Sequence, residues 1–130
     1  MAYAGSRVVP RLLGMAQLLD ATPFPVPGGK TIDEHVGRVS TGHANVSVAH
    51  MTAEPGWTEP GQVPEFDEVT YVIAGSLEVE HKDGRLSVPA GRSMLARSRE
   101  WVRYSAGDDG AEYVSICVPA FDLQAAHRES

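Results

Sequence analysis

From residue 30 onward, turns that contain Gly or Pro divide the chain into short segments, and this spacing limits the possible folds. A chain interrupted so often has no room for a long helix, whereas short strands are the units of sandwiches and barrels. Lys82–Gly84 is a strong hairpin signal because Gly tolerates a positive φ angle. Pro89–Gly91 is another turn. The pattern predicts an all-β fold without choosing among the β architectures.

The predicted strands are rich in apolar and β-branched residues. They are Val36–Ser40, Asn45–Thr52, Glu68–Ala74, Leu77–His81, Arg85–Val88, Ser93–Ala96, Trp101–Ser105 and Glu112–Val118. Gly75 is expected to end the strand that begins at Glu68. Before the strands, Met15–Leu19 is predicted to form one helical turn, and Thr22–Gly29 is a loop too rich in Pro and Gly for a helix or a central strand. Phe121–Ser130 is predicted to be a short helix or a tail.

Composition restricts the partners and the compartment. The length of 130 residues fits one domain. The net charge of −6 argues against nucleic acid as a partner. Cys117 is the single cysteine, so no intrachain disulfide can form and a reducing compartment is expected. The apolar stretch Leu12–Leu19 is too short to span a bilayer. We therefore expect a cytoplasmic protein without a membrane partner.

Three segments, in the right order, resemble the cupin superfamily. Glu68–Gly75 looks like the first cupin signature, in which a Glu is followed by six residues and a Gly. Asp83–Gly91 resembles the hairpin between the two signatures, and residues 91–105 fall where the second signature lies. The resemblance spans Ala44 to Pro119. It implies a double-stranded β-helix, the jelly-roll barrel of cupins, with an N-terminal arm.

The resemblance also implies a domain organisation and a partner. Residues 1–30 would be an arm with a Pro/Gly loop, 31–120 the cupin barrel and 121–130 a C-terminal tail. Phe66–Glu68 and Val118–Pro119 look most like the ethanolamine-utilisation branch of cupins. Cupins commonly dimerise by packing sheets together or exchanging an N-terminal strand. A homodimer is therefore expected, with Arg7–Leu13 as the candidate arm.

The chain departs from metal-binding cupins at the ligand positions. The residues at the three histidine positions are Gln62, Pro64 and Val102, or Gly61, Val63 and Val102 if one more residue precedes the Glu. Only Glu68 remains of the four ligands that the family implies. One carboxylate cannot supply the three or four donors that a transition metal needs. We expect neither a metal nor another cofactor.

The resemblance points Glu68 into the barrel, and alternation then adds Thr70, Val72 and Ala74 to the inner face. Tyr104 should share the side of Val102. The predicted catalytic residues are Glu68 and Tyr104, and the predicted substrate-binding residues are Gln62, His50, Glu65, Val102 and Trp57. His50 joins this set if Val46 and Val48 also face inward, and Trp57 either covers the pocket mouth or anchors its loop.

Three functions fit these residues. A desolvated Glu68 has a raised pKa suited to proton transfer, and the Tyr104 hydroxyl can stabilise a developing enolate. This pair suits an elimination, isomerisation or cyclisation of a small carbonyl compound by a metal-independent lyase, isomerase or cyclase. The alternatives are a non-catalytic cupin that binds a small molecule or a partner protein, and a metal-dependent cupin with His50, Glu68 and Gln62 as unusual ligands.

Overall fold

The computed structural model describes residues 15–130, which form an antiparallel β structure with one short helix. The strands are β1 (Thr22–Pro23), β2 (Lys30–Val36), β3 (Ser47–Ala53), β4 (Asp67–His81), β5 (Gly84–Pro89), β6 (Ser93–Ala96) and β7 (Val102–Val118). The helix α1 covers Leu123–Ala126. The expected all-β class is confirmed. Among the described residues, no helix has the length and apolar character needed to cross a membrane.

The two long strands β4 and β7 pair with each other along two stretches. Residues 67–75 of β4 pair with residues 111–118 of β7, and residues 77–81 of β4 pair with residues 102–106 of β7. The first stretch continues outward through β3, β2 and β1 on one side and β6 on the other. The second stretch continues into β5. The inward side chains of both halves enclose the core of a jelly-roll barrel.

Gly75 bends β4 and does not end it, contrary to the sequence prediction. Its φ angle is +72°, and irregularities in the β4–β7 register lie on both sides of it. A Cβ atom at this position would lie 2.1 Å from the carbonyl oxygen of Gly110. The bulge also breaks the alternation, so Ala74 is exposed and its expected inward position is wrong. The predicted strands Trp101–Ser105 and Glu112–Val118 are likewise parts of one strand, β7.

β2 starts six residues before the first strand predicted from the sequence. β2 ends at Val36, where Val36–Ser40 was predicted to begin a strand. The buried Glu34 carboxylate accepts hydrogen bonds from the backbone N–H groups of Val39, at 2.9 Å, and Ser40, at 2.7 Å. These bonds hold the chain after β2 in a turn. The predicted helical turn at Met15–Leu19 is absent. The candidate arm Arg7–Leu13 lies outside the described residues.

The core has a large and a small cluster. The large one lies between the two halves of the barrel, and Val72, Leu77 and Val79 of β4 are at its centre with at most 2% exposure. The small one joins Phe66 to the fully buried Ala126 of α1. The segment after β7 therefore packs against the barrel and reaches the inner cavity described next. The domain bounds at residues 30/31 and 120/121 remain a prediction.

Candidate functional site

The inward faces of β2, β3, β4 and β7 enclose a cavity of about 40 Å³, here called the inner cavity. This volume holds about three water molecules, or a small organic molecule in their place. The polar side chains around it are Lys30, Glu34, Ser47, Glu59, Gln62, Glu68, Thr70, Tyr104, Tyr113, Ser115 and Arg128. The rest of the wall consists of Phe24, Ile32, Ala49, Met51, Cys117 and Phe121. The combination of an apolar wall and converging polar groups is typical of a binding site for a small molecule.

Glu68 lies at one wall of the inner cavity with both carboxyl oxygens engaged. The Tyr104 hydroxyl donates to Oε1 at 3.2 Å, and the Ser115 hydroxyl donates to Oε2. Burial raises the pKa of Glu68 against the opposing effect of the Ser115 hydrogen bond. Burial and the nearby Glu68 also raise the pKa of Tyr104 well above its ordinary value, so this phenol keeps its proton. The pair can therefore hold and move a proton at a buried position.

A cluster of three charged side chains, Lys30, Glu59 and Arg128, lines the same cavity. Lys30 Nζ lies 3.4 Å from Glu59 Oε1, and Nη2 of Arg128 lies 3.7 Å from the same oxygen. Arg128 Nε donates to Gln62 Oε1 at 3.2 Å. Burial lowers the pKa of Lys30, although the negative charges of Glu59 and Glu68 oppose this effect. Two cations thus share one carboxylate at the edge of the cavity.

The structure brings three of the predicted site residues together. Glu68, Tyr104 and Gln62 all line the inner cavity. Val102 is buried beside them in the large core cluster, and its backbone pairs with that of Gln62 without its side chain reaching the cavity. Trp57 lies just outside, where its ring lines a neighbouring outer cavity of about 80 Å³ and packs 4.2 Å from Lys30 Nζ.

Two predicted site residues lie elsewhere. His50 points to the outer face of β3, where its Nε2 is 2.8 Å from Glu112 Oε2, so the expected inward orientation is wrong. The inward side chains of β3 that line the cavity are Ser47, Ala49 and Met51. Glu65 is an exposed residue paired with His127, outside the cavity. Its expected position at the site is therefore also wrong.

Sequence reasoning missed seven polar residues of the cavity, which are Lys30, Glu34, Ser47, Glu59, Tyr113, Ser115 and Arg128. Ser115 has a usable signal, because it alternates with buried Tyr113 and Cys117 on the inner face of β7. Three of the charged residues carry none. Lys30, Glu59 and Arg128 stand near Pro- or Gly-containing turns or in the last segment, where charged side chains are normally solvated.

The donors around Glu68 do not fit a transition metal. Its direct partners are the hydroxyls of Tyr104 and Ser115. The nearby Cys117 thiol holds its proton because burial raises its pKa. Among residues 15–130, no three His, Cys, Asp or Glu side chains are grouped to hold a metal ion. Since His50 faces outward, the alternative ligand set of His50, Glu68 and Gln62 is not assembled.

Sequence comparisons give one partial relative. No protein-family model matches the chain. Endoribonuclease YbeY of Myxococcus xanthus (strain DK1622) is 40% identical over 108 residues, which are 82% of this chain and 37% of that protein. The chain therefore spans little more than a third of that relative, and the name describes the whole of the larger protein.

Solved structures with cupin folds are similar over most of the chain. KdgF from Halomonas sp. has a TM-score of 0.67 and 15% identity, covering 79% of this chain and 92% of its own. Oxalate decarboxylase from Bacillus subtilis has a TM-score of 0.73 and 20% identity, covering 88% of this chain and 33% of its own. At such identities the likeness shows the fold alone. Together with the β4–β7 architecture, it shows that this chain has the cupin fold.

Proposed function

We propose that the chain is a metal-independent enzyme of the lyase, isomerase or cyclase kind that acts on a small carbonyl compound. The observation that carries this proposal is the buried Glu68 carboxyl, hydrogen-bonded to Tyr104 at the wall of the inner cavity. A buried carboxyl destabilises a fold unless its surroundings compensate, which makes it a candidate for function. The small cavity volume favours substrates of a few non-hydrogen atoms.

The hydrogen bonds give Glu68 and Tyr104 different roles in the proposed reaction. Protonated Glu68 can donate to the Tyr104 oxygen, which frees the phenol O–H to donate to a carbonyl oxygen of the substrate. After Glu68 has released its proton to solvent, its carboxylate can remove a proton from the carbon next to that carbonyl, while the Tyr104 O–H stays on the carbonyl oxygen. Ser115 holds the second carboxyl oxygen and keeps the group oriented. Thr70 Oγ1 lines the cavity with no hydrogen-bond partner among the described residues, so it is free to bind a substrate oxygen.

Proton exchange tests the proposal before the natural substrate is known. Pyruvate, acetaldehyde and dihydroxyacetone would be incubated with the protein in D2O, and loss of the α-proton signals followed by NMR. We expect at least one compound to exchange faster than in buffer. We expect Tyr104→Phe to slow that exchange by about tenfold to a hundredfold, because one hydrogen bond to the developing enolate is lost. Exchange that is equally fast in Tyr104→Phe would contradict the role of the phenol.

The same experiment separates the alternative of a non-catalytic binding cupin. A compound that raises the melting temperature and is recovered with all its α-protons would favour binding over catalysis. An absence of exchange for every compound of this class would overturn the enzymatic proposal.

The likeness to the ethanolamine-utilisation branch remains a prediction. A cytoplasmic location is likewise proposed, supported by the single buried thiol of Cys117.

We also propose that two copies of the chain associate through the outer face of the β3–β7–β4 sheet. An unbroken apolar row crosses five strands in register: Leu95, Val69, Ile116, Val48 and Val36. A sheet face that meets water normally carries polar residues, whereas Leu95 is 50% and Val69 39% exposed. A second copy, related by two-fold symmetry, would cover the same row on both chains.

Light scattering tests the dimer. The wild type is expected at the mass of two chains, and Val69→Glu at the mass of one, because it places two charges in the apolar contact. Val63→Glu is the matched control, since Val63 is also 39% exposed but lies in the loop before β4. A wild-type monomer, or dissociation by both variants alike, would contradict this interface.

A further inference from the structure

We propose that the side-chain amine of Lys30 is a covalent nucleophile and forms an imine with the carbonyl carbon of the substrate. The inference rests on the proposed function and narrows its substrates to small aldehydes and ketones. It assigns a catalytic role to a further residue of the inner cavity, beyond the predicted Glu68 and Tyr104 pair.

Lys30 lies between the two cavities. It lines both the inner cavity and the outer cavity, whose shared boundary also includes Ile32, Glu59 and Arg128. Only 7% of the Lys30 side chain is exposed. The ring centroids of Trp57 and Tyr113 lie 4.2 Å and 5.6 Å from its Nζ, so aromatic rings cover the part of the amine that Glu59 does not contact. A desolvated lysine in an apolar pocket is one of the arrangements that activate an amine as a nucleophile.

The charges around the amine argue against a purely structural ion pair. Glu59 is within 4 Å of two cations, Lys30 and Arg128. With Glu68 protonated, the two cations Lys30 and Arg128 face one carboxylate, Glu59, so these three side chains together carry one net positive charge. Loss of the proton from Lys30 leaves Arg128 and Glu59 as a balanced pair. Burial, which lowers the pKa of Lys30 and raises that of Glu68, acts in the same direction.

The reaction balances with the groups at hand. Lys30 first releases its proton to solvent, which leaves Glu59 ionised beside Arg128, and the neutral amine then adds to the carbonyl carbon. The new C–N bond converts the carbonyl oxygen into a hydroxyl, whose proton comes from the attacking nitrogen through Tyr104. Glu68 then protonates that hydroxyl, the C–O bond breaks and water leaves, giving a protonated imine and a Glu68 carboxylate. No oxidant or reductant is required, and the carboxylate is now placed to remove an α-proton.

The sequence makes the test unusually clear because Lys30 and Lys82 are its only lysines. The full chain would be mixed with pyruvate, acetaldehyde or dihydroxyacetone, treated with sodium borohydride and mapped by peptide mass spectrometry. Lys82 lies exposed in the hairpin between β4 and β5 and serves as the internal control. We expect a reduced adduct on Lys30 and at least about tenfold less on Lys82, because only a desolvated amine stays neutral near pH 7.

The matched variants are Lys30→Met and Lys82→Met. Lys82→Met should keep the adduct, and Lys30→Met should lose it. Equal labelling of Lys30, Lys82 and the amino terminus of the wild type would overturn the inference, and this result does not depend on whether Lys30→Met folds. Proton exchange that persists without any Lys30 adduct would remove the imine and leave the proposed function standing. An adduct on Lys30 without proton exchange would support the nucleophile and overturn the acid–base reaction.

Discussion

Glu68→Gln is expected to slow the α-proton exchange of the best carbonyl compound by about two to four orders of magnitude, the usual contribution of a general acid or base. The amide has nearly the shape of the carboxyl and can still accept from Tyr104 or Ser115. It cannot take up or release a proton in the physiological range. The measurement is the exchange rate by NMR at equal protein concentration, with the circular dichroism spectrum confirming the fold.

The control for this variant is Glu112→Gln, which makes the same chemical change on the outer face of β7. Glu112 pairs with His50 and lies away from the inner cavity. Its exchange rate should stay within about twofold of the wild type, since an exposed ion pair contributes little. A Glu68→Gln protein that exchanges as fast as Glu112→Gln would mean that the buried carboxyl has no catalytic role.

Gly75→Ala is expected to lower the free energy of unfolding by about 2–5 kcal/mol, the largest effect on stability that we predict. A left-handed φ angle costs an L-residue about 1–2 kcal/mol, and overpacking adds about 1–3 kcal/mol. The new methyl group would lie 2.1 Å from the Gly110 carbonyl oxygen, which belongs to the backbone of β7 and cannot rotate away. Urea denaturation followed by circular dichroism measures the difference.

Gly91→Ala separates the backbone strain from the steric overlap. Gly91 has a similar φ angle of +84°, but no atom lies within 4 Å of a Cβ built there. Gly91→Ala should therefore show the backbone strain alone, about 1–2 kcal/mol. If both variants lose the same free energy of unfolding, the backbone near Gly110 accommodates the new methyl group of Gly75→Ala without a steric penalty.

The sequence predicted those parts of the fold that depend on local chemistry. β5 and β6 lie where the hairpin at Lys82–Gly84 and the turn at Pro89–Gly91 place them. Alternation from Glu68 put Thr70 and Val72 inside the barrel, as the structure has them. The prediction failed at Gly75, because a glycine that ends a strand and one that bends it look the same without the opposing chain.

The site was harder to predict than the fold because its polar groups come from distant segments. Lys30 and Glu59 are 29 positions apart, and Gln62 and Arg128 are 66 apart. Nothing in the local pattern around any of them indicates burial. His50 was misassigned for another reason. Val48 of β3 faces outward while Ser47, Ala49 and Met51 face inward, so a rule that places Val inside selects the wrong face.

The sharing of β4 and β7 between the two halves of the barrel has a mechanical consequence. Neither half can separate without breaking a strand that the other half needs, so we expect the strands around Glu68 to keep their places while the domain is folded. We therefore expect no hinge motion of one half of the barrel against the other when a ligand binds. Selection among ligands then falls to the boundary between the two cavities, where side chains can change rotamer while the strands stay in place.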